Sequence, residues 1–262
     1  LEIRLNMSLN FEPINLHKQY EYLEHFDRCS QKASDCSVVN LWGWAKEYGL
    51  CWAWSDNLVW IKQTVPEELH WAPLGFWEGV DWKRLFNEYF NRRTIFTRIP
   101  ENLSQLWRNS LHDLITVEES RDHWDYLYSV SELIELKGNQ FHKKKNLVNQ
   151  FRKKYDFEYV SFGSDMIDQA MGMQEDWCTW RDCESSDALS AENRAIPRIL
   201  GNWRKLQGLK GGAILVDQKM VAYTIAESLA EDTLVIHFEK GNNEYKGVYQ
   251  AINQMFLEHS GK

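Results

Sequence analysis

Residues 233–253 read TLVIHFEKGNNEYKGVYQAIN. This stretch predicts a β-strand, a polar turn that contains glycine, and then an amphipathic helix. The first turn of such a helix exposes unpaired N–H groups and the positive end of the helix dipole, which attract a phosphate or a carboxylate. We therefore expect this turn to bind an anionic group through Asn242, Lys246 and Gly247.

The predicted strand has two chemically different faces, because successive side chains point to opposite sides of a sheet. Leu234, Ile236 and Phe238 fall on one face, and Val235, His237 and Glu239 fall on the other. A histidine and a carboxylate on one face, followed by Lys240, predict a cluster for acid–base catalysis and anion binding. The alternatives are a hydrogen-bonded pair of His237 and Glu239, or a surface ion pair of Glu239 and Lys240.

Two polar residues on the predicted helix lie one turn apart and face the strand end. Tyr249 would either protonate a leaving group or pack against the strand. Asn253 lies in the middle of the helix, where asparagine is unfavourable without a hydrogen-bond partner. It therefore predicts either a structural hydrogen bond or a contact with substrate.

One basic segment lies in an otherwise acidic chain. The formal net charge is −8, yet residues 139–155 contain six Lys or Arg and no acid. A helical wheel predicts a buried face of Phe141, Val148, Phe151 and Tyr155, and a solvated face of Lys143, Lys153 and Lys154. Lys144, Lys145 and Arg152 flank the apolar stripe. Either their aliphatic chains pack over the edge of the core, or their charged groups form a positive surface that binds phosphates.

The remaining patterns predict an α/β (α+β) protein of two lobes, each a mixed sheet flanked by helices. The lobes are predicted at 7–130 and 131–262, with the basic helix at 139–155. In the first lobe we expect helices at 16–28, at 81–90 and between short strands at 94–99 and 114–117, and a hairpin of 50–53 and 58–61. In the second we expect strands at 158–162, 212–216, 220–228 and 233–239, and helices at 165–180, 191–207 and 246–258.

Composition limits the classes of protein that this chain can represent. Uncharged runs such as Cys36–Ala45 are far shorter than the roughly 20 apolar residues of a membrane span. The five cysteines lack the paired spacing of zinc ligands, so we predict no metal site and free thiols in a reducing cytosol. The acidic net charge argues against a general coat for nucleic acid, so no DNA partner is expected. We expect a cytoplasmic location.

Several motifs together resemble one protein family. Residues 136–151, LKGNQFHKKKNLVNQF, resemble its pattern L-x-G-x-x-[FY]-x-x-K-[RK]-N-x-x-x-x-F. GGAILVD at 211–217, IHFEK at 236–240, GVYQAIN at 247–253 and Glu192 resemble its later blocks. The family is that of the C-terminal domain of phosphatidylglycerol lysyltransferases. Its members usually continue beyond the last helix with further strands and a basic tail, whereas this sequence stops at Lys262, so we expect either a truncated second lobe or a disordered tail that the sequence omits.

The resemblance implies two tandem acetyltransferase-like (GNAT) lobes related to the Fem aminoacyltransferases. Relatives of this kind move an aminoacyl group from a charged tRNA to an amine or hydroxyl of a lipid or peptide. Carried over by residue, the implied site consists of His142, Lys145, Asn146, Glu192, His237, Glu239, Lys240, Gly247, Tyr249 and Asn253.

The expected function is therefore acyl transfer, preferably of an aminoacyl group. His237 or Glu239 would deprotonate the acceptor and Tyr249 would assist the leaving group, while Lys145 and Arg152 would bind tRNA or acceptor phosphate. The donor would be aminoacyl-tRNA or acyl-CoA, with no tightly bound cofactor, and the acceptor a small molecule, a peptide or a lipid. Two alternatives stay open, namely a CoA-dependent N-acyltransferase and a non-catalytic binding module.

Overall fold

The computed structural model describes residues 8–260. The chain divides into two compact units, Leu1–Asp125 and Tyr126–Lys262. The outer limits predicted for the lobes, Met7 and Lys262, lie outside the described residues. Each unit contains one sheet flanked by helices, which confirms the predicted α/β class. The first sheet is mixed, as predicted, but the prediction of a mixed sheet is wrong for the second unit, whose described strand pairs are all antiparallel. That both lobes are GNAT-like stays a prediction.

The first unit is built on a five-stranded sheet in the order β1-β2-β3-β4-β5. Neighbouring strands are antiparallel except for β4 and β5, which are parallel. The strands are β1 Glu12–Pro13, β2 Cys51–Ser55, β3 Leu58–Gln63, β4 Leu69–Trp71 and β5 Phe96–Thr97. The helices are α1 Gln19–Asp27, α2 Val38–Tyr48, α3 Trp82–Tyr89 and α4 Glu101–Leu111.

Two elements of this unit form where local sequence signals predict them. Asp56 and Asn57 have φ of 57° and 59°, the positive values that a tight two-residue hairpin turn needs, and they join β2 to β3. The Asp81 side chain accepts a hydrogen bond of 3.0 Å from the backbone N–H of Arg84 and caps α3. The predicted hairpin and capped helix are therefore confirmed.

Two predictions of secondary structure are wrong. Residues 114–117 form no strand; they follow α4 as a short turn and then irregular chain, because no described strand pairs with them. The helix predicted at 191–207 ends at Leu200. Gly201 is the C-cap, its N–H makes the last helical bond to the Pro197 carbonyl, and residues 201–205 then form turns instead of continuing the helix.

The second unit is built on an antiparallel four-stranded sheet in the order β6-β7-β8-β9. Ile252 and Met255 of α9 pack on Ala222 of β8, whereas Tyr223, the next residue of that strand, bonds to Gln174 of α7. Helices α9 and α7 therefore cover opposite faces of the sheet. The strands are β6 Phe157–Ser161, β7 Leu209–Val216, β8 Lys219–Ala230 and β9 Thr233–Gly241. The helices are α5 Val130–Glu135, α6 His142–Lys154, α7 Ile167–Arg181, α8 Asp187–Leu200 and α9 Val248–Ser260.

The basic helix α6 packs as its periodicity predicts. Val148 and Phe151 are buried, and Phe141 and Tyr155 are half-buried at the edges of the same stripe. The predicted solvated face of Lys143, Lys153 and Lys154 is exposed. The helix lies against α9, which in turn covers the sheet.

The prediction of five free thiols is wrong for two of them. Cys178 and Cys183 form a disulfide. Helix α7 ends at Arg181, and Asp182 then takes a left-handed conformation, so the chain turns back and brings the two Cα atoms within 5.0 Å. Cys29, Cys36 and Cys51 are free, the first two in the core. In residues 8–260, no helix is long and apolar enough to cross a bilayer.

Candidate functional site

The predicted anion-binding turn lies between the end of β9 and the start of α9. The backbone N–H of Asn242 bonds to the Val221 carbonyl at 2.9 Å, and its side-chain oxygen accepts from the N–H of Glu244 at 2.9 Å. Lys246 is exposed. Because α9 begins at Val248, the N–H groups of Tyr249 and Gln250 lie in its first turn, ahead of the regular internal hydrogen bonds.

Two glycines allow the strand end and the helix start to approach their neighbours. Gly247 has φ of +88°, and a Cβ there would lie 2.3 Å from the carbonyl oxygen of Leu147 in α6. A Cβ on Gly241 would lie 3.2 Å from the ring of Tyr249. Gly247 therefore requires glycine both for its backbone angle and for space, whereas a side chain at Gly241 would require the neighbouring side chains to move.

A buried ion pair lies next to this turn, on the face of the sheet that α7 covers. The Lys240 ammonium lies 2.5 Å from Oε2 of Glu192 in α8 and 3.7 Å from the centroid of the Trp177 ring in α7. Lys240 is 4% exposed, and its burial lowers the pKa of the ammonium, although the Glu192 carboxylate opposes that shift. We call Gln174, Trp177, Glu192, Tyr223, Lys240 and Tyr249 the Lys240 cluster.

Hydrogen bonds fix the aromatic members of the Lys240 cluster. The indole Nε1 of Trp177 donates to the Tyr249 hydroxyl at 2.9 Å. That bond occupies the oxygen of Tyr249 and leaves its own hydrogen available to another acceptor. The hydroxyl of Tyr223 donates to Oε1 of Gln174 at 3.1 Å, and burial raises the pKa of this tyrosine. The Gln174 amide donates in turn to Oδ1 of Asn193 at 3.3 Å.

Glu239 lies on the opposite face of the sheet, under α9. Its Oε2 accepts a hydrogen bond of 3.0 Å from the amide of Asn253. Burial raises the pKa of this carboxyl, and the amide of Asn253 and the ammonium of Lys144 oppose the shift. The mid-helix asparagine therefore has the structural partner that its position predicted.

The predicted alternation along β9 is wrong at His237. Ile225 of β8 pairs with Phe238, but its neighbour Ala226 pairs with Ile236, so His237 is the extra residue of a β-bulge. The bulge shifts every later side chain to the other face. Ile236 and Glu239, which alternation separates, both contact α9.

His237 consequently points away from Glu239. Its Nε2 lies 3.0 Å from Oε1 of Glu227, and its side chain is fully buried. Ala226 packs on Phe256 of α9, so Glu227, the next residue of β8, faces the opposite side together with His237. The three predicted catalytic side chains therefore lie in three separate places. Tyr249 belongs to the Lys240 cluster, Glu239 lies under α9, and His237 is buried in a pair with Glu227.

The predicted substrate-binding residues of α6 form a second, separate region. His142, Lys145 and Asn146 are exposed. The Arg152 guanidinium donates to Oε1 of Gln254 at 3.3 Å and lies 3.4 Å from Glu258. A groove between α5, α6 and α9 is lined by Glu135, Lys145, Val148, Arg152, Gln254 and Glu258. Lys145 and Arg152 therefore share one flank of the helix, as their spacing predicts.

Sequence reasoning missed Gln174, Trp177 and Tyr223. Trp177 falls on the buried face of α7 with Ala170 and Met173, at the spacing of an ordinary core residue. Its hydrogen-bond partner, Tyr249, is 72 residues away in the chain. The one local signal was that a tryptophan lies on the apolar stripe of α7. Because a buried indole N–H requires an acceptor, this residue predicts a hydrogen bond to another part of the fold.

Comparisons with known proteins agree with this architecture. The crystal structure of a conserved protein of unknown function from Bacteroides thetaiotaomicron VPI-5482 superposes with a TM-score of 0.83 at 26% identity, covering 95% of this chain and 86% of that one. The C-terminal domain of a proposed lysylphosphatidylglycerol synthetase from Agrobacterium fabrum gives a TM-score of 0.52 at 11% identity, covering 94% and 75%. At that identity the second likeness shows the fold alone.

A curated relative and a family model extend the comparison to sequence. An uncharacterised protein of Mycoplasmoides gallisepticum is 26% identical over 157 residues, which are 59% of this chain and 49% of that protein, so the chain spans about half the length of this relative. The family model for the C-terminal region of phosphatidylglycerol lysyltransferase matches residues 26–262. Because that match covers most of its length, the chain belongs to the phosphatidylglycerol lysyltransferase C-terminal domain family.

Proposed function

We propose that this chain transfers an aminoacyl group from a charged tRNA to an amine or hydroxyl of a lipid, peptide or small-molecule acceptor. The observation that carries the proposal is the Lys240 cluster. It combines a buried cation, a positioned phenol and the first turn of a helix at one strand end. Membership of the family supports the same class of reaction.

The reaction requires stabilisation of an oxyanion and a proton for the leaving oxygen. The acceptor attacks the ester carbonyl of the donor, and negative charge develops on the carbonyl oxygen. The N–H groups of Tyr249 and Gln250 would supply positive charge at this point, and the Lys240 ammonium, which is paired with Glu192, would add to it. The Tyr249 hydroxyl, held by Trp177, would give its hydrogen to the leaving ribose oxygen.

Glu239 is the base that fits this arrangement best. Strand β9 lies at the edge of the sheet that the structure describes, so a donor lying along it would meet side chains from both faces. A carboxylate whose pKa burial raises is a stronger base than an ordinary one. The His237 side chain is fully buried against Glu227. We therefore propose that it stabilises the β-bulge and does not contact substrate.

Lys145 and Arg152 would bind phosphates of the donor or the acceptor in the groove beside α9. Such binding releases counterions and weakens steeply as salt rises. Glu135 and Glu258 also line the groove, and Glu258 lies 3.4 Å from Arg152, so a bound phosphate would have to replace that carboxylate as the partner of Arg152.

Binding and transfer test the proposal separately. We expect a pool of charged tRNA to be retained on filters with the protein at low salt and released at high salt. The variant Lys145→Ala/Arg152→Ala should lose retention, whereas Lys83→Ala/Arg92→Ala, two exposed cations of the first unit, should not. Binding of acetyl-CoA without tRNA would instead indicate a CoA-dependent N-acyltransferase.

Transfer is measured with radiolabelled aminoacyl-tRNA and three acceptors, phosphatidylglycerol vesicles, a peptide amine and a small-molecule amine. We expect Tyr249→Phe and Glu239→Gln each to lower the rate by about 10²-fold or more. Unchanged rates in both variants would refute the assigned chemistry. Binding without transfer to any acceptor would indicate a non-catalytic module.

A further inference from the structure

A disulfide closes the corner between α7 and α8 in the second unit. Cys178 lies in the last turn of α7, and Cys183 opens the short 3-10 turn that leads to α8. Between the two cysteines, Asp182 has φ of 50°, a left-handed conformation that few residues other than glycine adopt. The bridge therefore holds the chain in a sharp turn whose backbone conformation is sparsely populated by itself.

Both arms of this corner carry members of the Lys240 cluster. On α7, Trp177 directly precedes Cys178, and the amide of Gln174 donates to the Cys178 sulfur at 3.7 Å. On α8, Glu192 is the partner of the Lys240 ammonium. The disulfide thus links the two segments that supply the indole and the carboxylate of the cluster.

The bridge is accessible at one sulfur and acts over a short distance in the chain. Cys178 is half-buried whereas Cys183 is 5% exposed, so an attacking thiolate reaches the Cys178 sulfur first. The two cysteines are five positions apart. A bridge across so short a loop removes less entropy from the unfolded chain than a long-range bridge does. Its main effect is therefore on the local structure of the corner.

The free thiols lie in the first unit, away from this corner. Cys29 and Cys36 are in its core, and burial raises the pKa of Cys29 to about 11, so this thiol stays protonated at neutral pH. Burial raises the pKa of Cys51 as well. A response of the described residues to a thiol reductant therefore has one source, the bridge of Cys178 and Cys183.

We propose that the Cys178–Cys183 disulfide is a redox switch that orders the Lys240 cluster when oxidised and loosens it when reduced. Once the bond is cut, Asp182 can leave the left-handed conformation, and the end of α7 can move relative to α8. Trp177 then no longer holds the Tyr249 hydroxyl in place. That the switch controls aminoacyl transfer rests on the function proposed above.

Reduction is an exchange of thiol and disulfide with a dithiol reductant. A thiolate of the reductant attacks the Cys178 sulfur, the S–S bond breaks, and Cys183 leaves as a thiolate that takes up a proton. The second thiol of the reductant then attacks the reductant's sulfur in the mixed disulfide, which releases Cys178. The protein gains two electrons and two protons, and the reductant becomes a disulfide.

Amide hydrogen exchange tests the switch without any transfer reaction, on oxidised protein and on protein reduced with dithiothreitol. The amide of Ala251 bonds to the Gly247 carbonyl at 3.0 Å and reports on the first turn of α9. We expect reduction to speed its exchange about fivefold, the factor expected from the loss of one hydrogen bond. The amide of Leu74 in the first unit, bonded to the Val59 carbonyl at 2.9 Å, is the control and should not change.

Two variants assign the response to the bridge. Cys178→Ser/Cys183→Ser should show the fast exchange at Ala251 both with and without dithiothreitol. Cys51→Ser, which removes a half-buried free thiol of β2, should respond like the parent. The inference is overturned if reduction speeds exchange only within residues 178–187 and leaves Ala251 unchanged, because the bridge would then stabilise its own turn and nothing else.

Transfer measured on the same samples separates this inference from the proposed function. In a protein that transfers aminoacyl groups, reduction should lower the rate about tenfold or more, because the Tyr249 phenol is displaced. An equal rate in both states would overturn the switch. Faster exchange at Ala251 in a protein that transfers in neither state would support the switch and refute the proposed function.

Discussion

The indole nitrogen of Trp177 donates a hydrogen bond of 2.9 Å to the hydroxyl of Tyr249. This bond joins α7 to the first turn of α9 beside the end of β9. The same indole ring carries the Lys240 ammonium 3.7 Å from its centroid. One side chain therefore positions both the phenol and the cation of the Lys240 cluster.

Removal of the Trp177 indole N–H should leave the Tyr249 hydroxyl without the hydrogen bond that it accepts from Trp177. We expect Trp177→Phe and Tyr249→Phe to share a coupling of about 1 kcal/mol in the free energy of unfolding, because each removes the same hydrogen bond. Urea unfolding of both single variants and the double variant measures this coupling. Fully additive effects would show that the bond contributes nothing.

Substitution of Glu192 and substitution of Lys240 should lower the free energy of unfolding by different amounts. Glu192→Ala leaves the Lys240 ammonium, whose side chain is 5% exposed, without its counter-ion and should destabilise the fold by about 3 kcal/mol. Lys240→Met leaves Glu192, whose side chain is 24% exposed and therefore reaches water, and should cost about 1 kcal/mol or less. Chemical denaturation of both variants measures the difference, and the reverse order would contradict this account of the pair.

Gly247→Ala should be severely destabilising, by more than about 3 kcal/mol, because positive φ and a collision with the Leu147 carbonyl add together. Gly138→Ala is the matched control. Gly138 has φ of +90° and ψ of 165°, and no atom lies within 4 Å of an added Cβ, so its substitution isolates backbone strain of order 1–3 kcal/mol. Equal losses at the two positions, measured by thermal unfolding, would show that the approach of α9 to α6 is not tight.

Glu239→Gln should stabilise the protein at neutral pH and have little effect in acid. Burial raises the pKa of this carboxyl above 4.5, so the folded state favours the protonated form. That preference contributes stability below pH 4.5, and the contribution is lost as pH rises through the folded pKa. Glutamine stays neutral and can still accept the bond from Asn253. Denaturation at pH 4 and pH 7 tests the expected change, and a loss of stability at pH 7 would contradict it.

His70 should make the first unit acid-sensitive. It lies among the rings of Phe11, Phe90 and Phe96, and burial lowers its pKa from 6.5 to about 4. The folded state thus favours neutral His70, and its contribution, of order 3 kcal/mol, is present above pH 6.5 and lost as pH falls towards 4. Lys62 and Glu68 are the charged groups acting on it. His70→Phe should flatten the dependence of stability on pH in this window, whereas His123→Gln, at an exposed site, should not.

Elements with signals in adjacent residues were predictable from the sequence. The Asp56-Asn57 turn, the Asp81 cap and the apolar stripe of α6 each depend on interactions within a few residues of the chain. The order of strands and helices in the second unit follows from periodicities of the same local kind. The residues that meet in the turn after β9 were found for this reason, because strand end, turn and helix start are contiguous.

The sequence by itself determined the two α/β units, the basic helix and the turn before α9, since propensity and periodicity act between near neighbours. The tertiary structure decided which side chains meet. His237 leaves Glu239 because β9 bulges against β8, and no feature of residues 233–241 alone specifies that register. Trp177 reaches Tyr249, 72 residues away, because α7 packs beside the start of α9. Contacts of this kind depend on how separate elements pack, which is a property of the whole core rather than of any one segment.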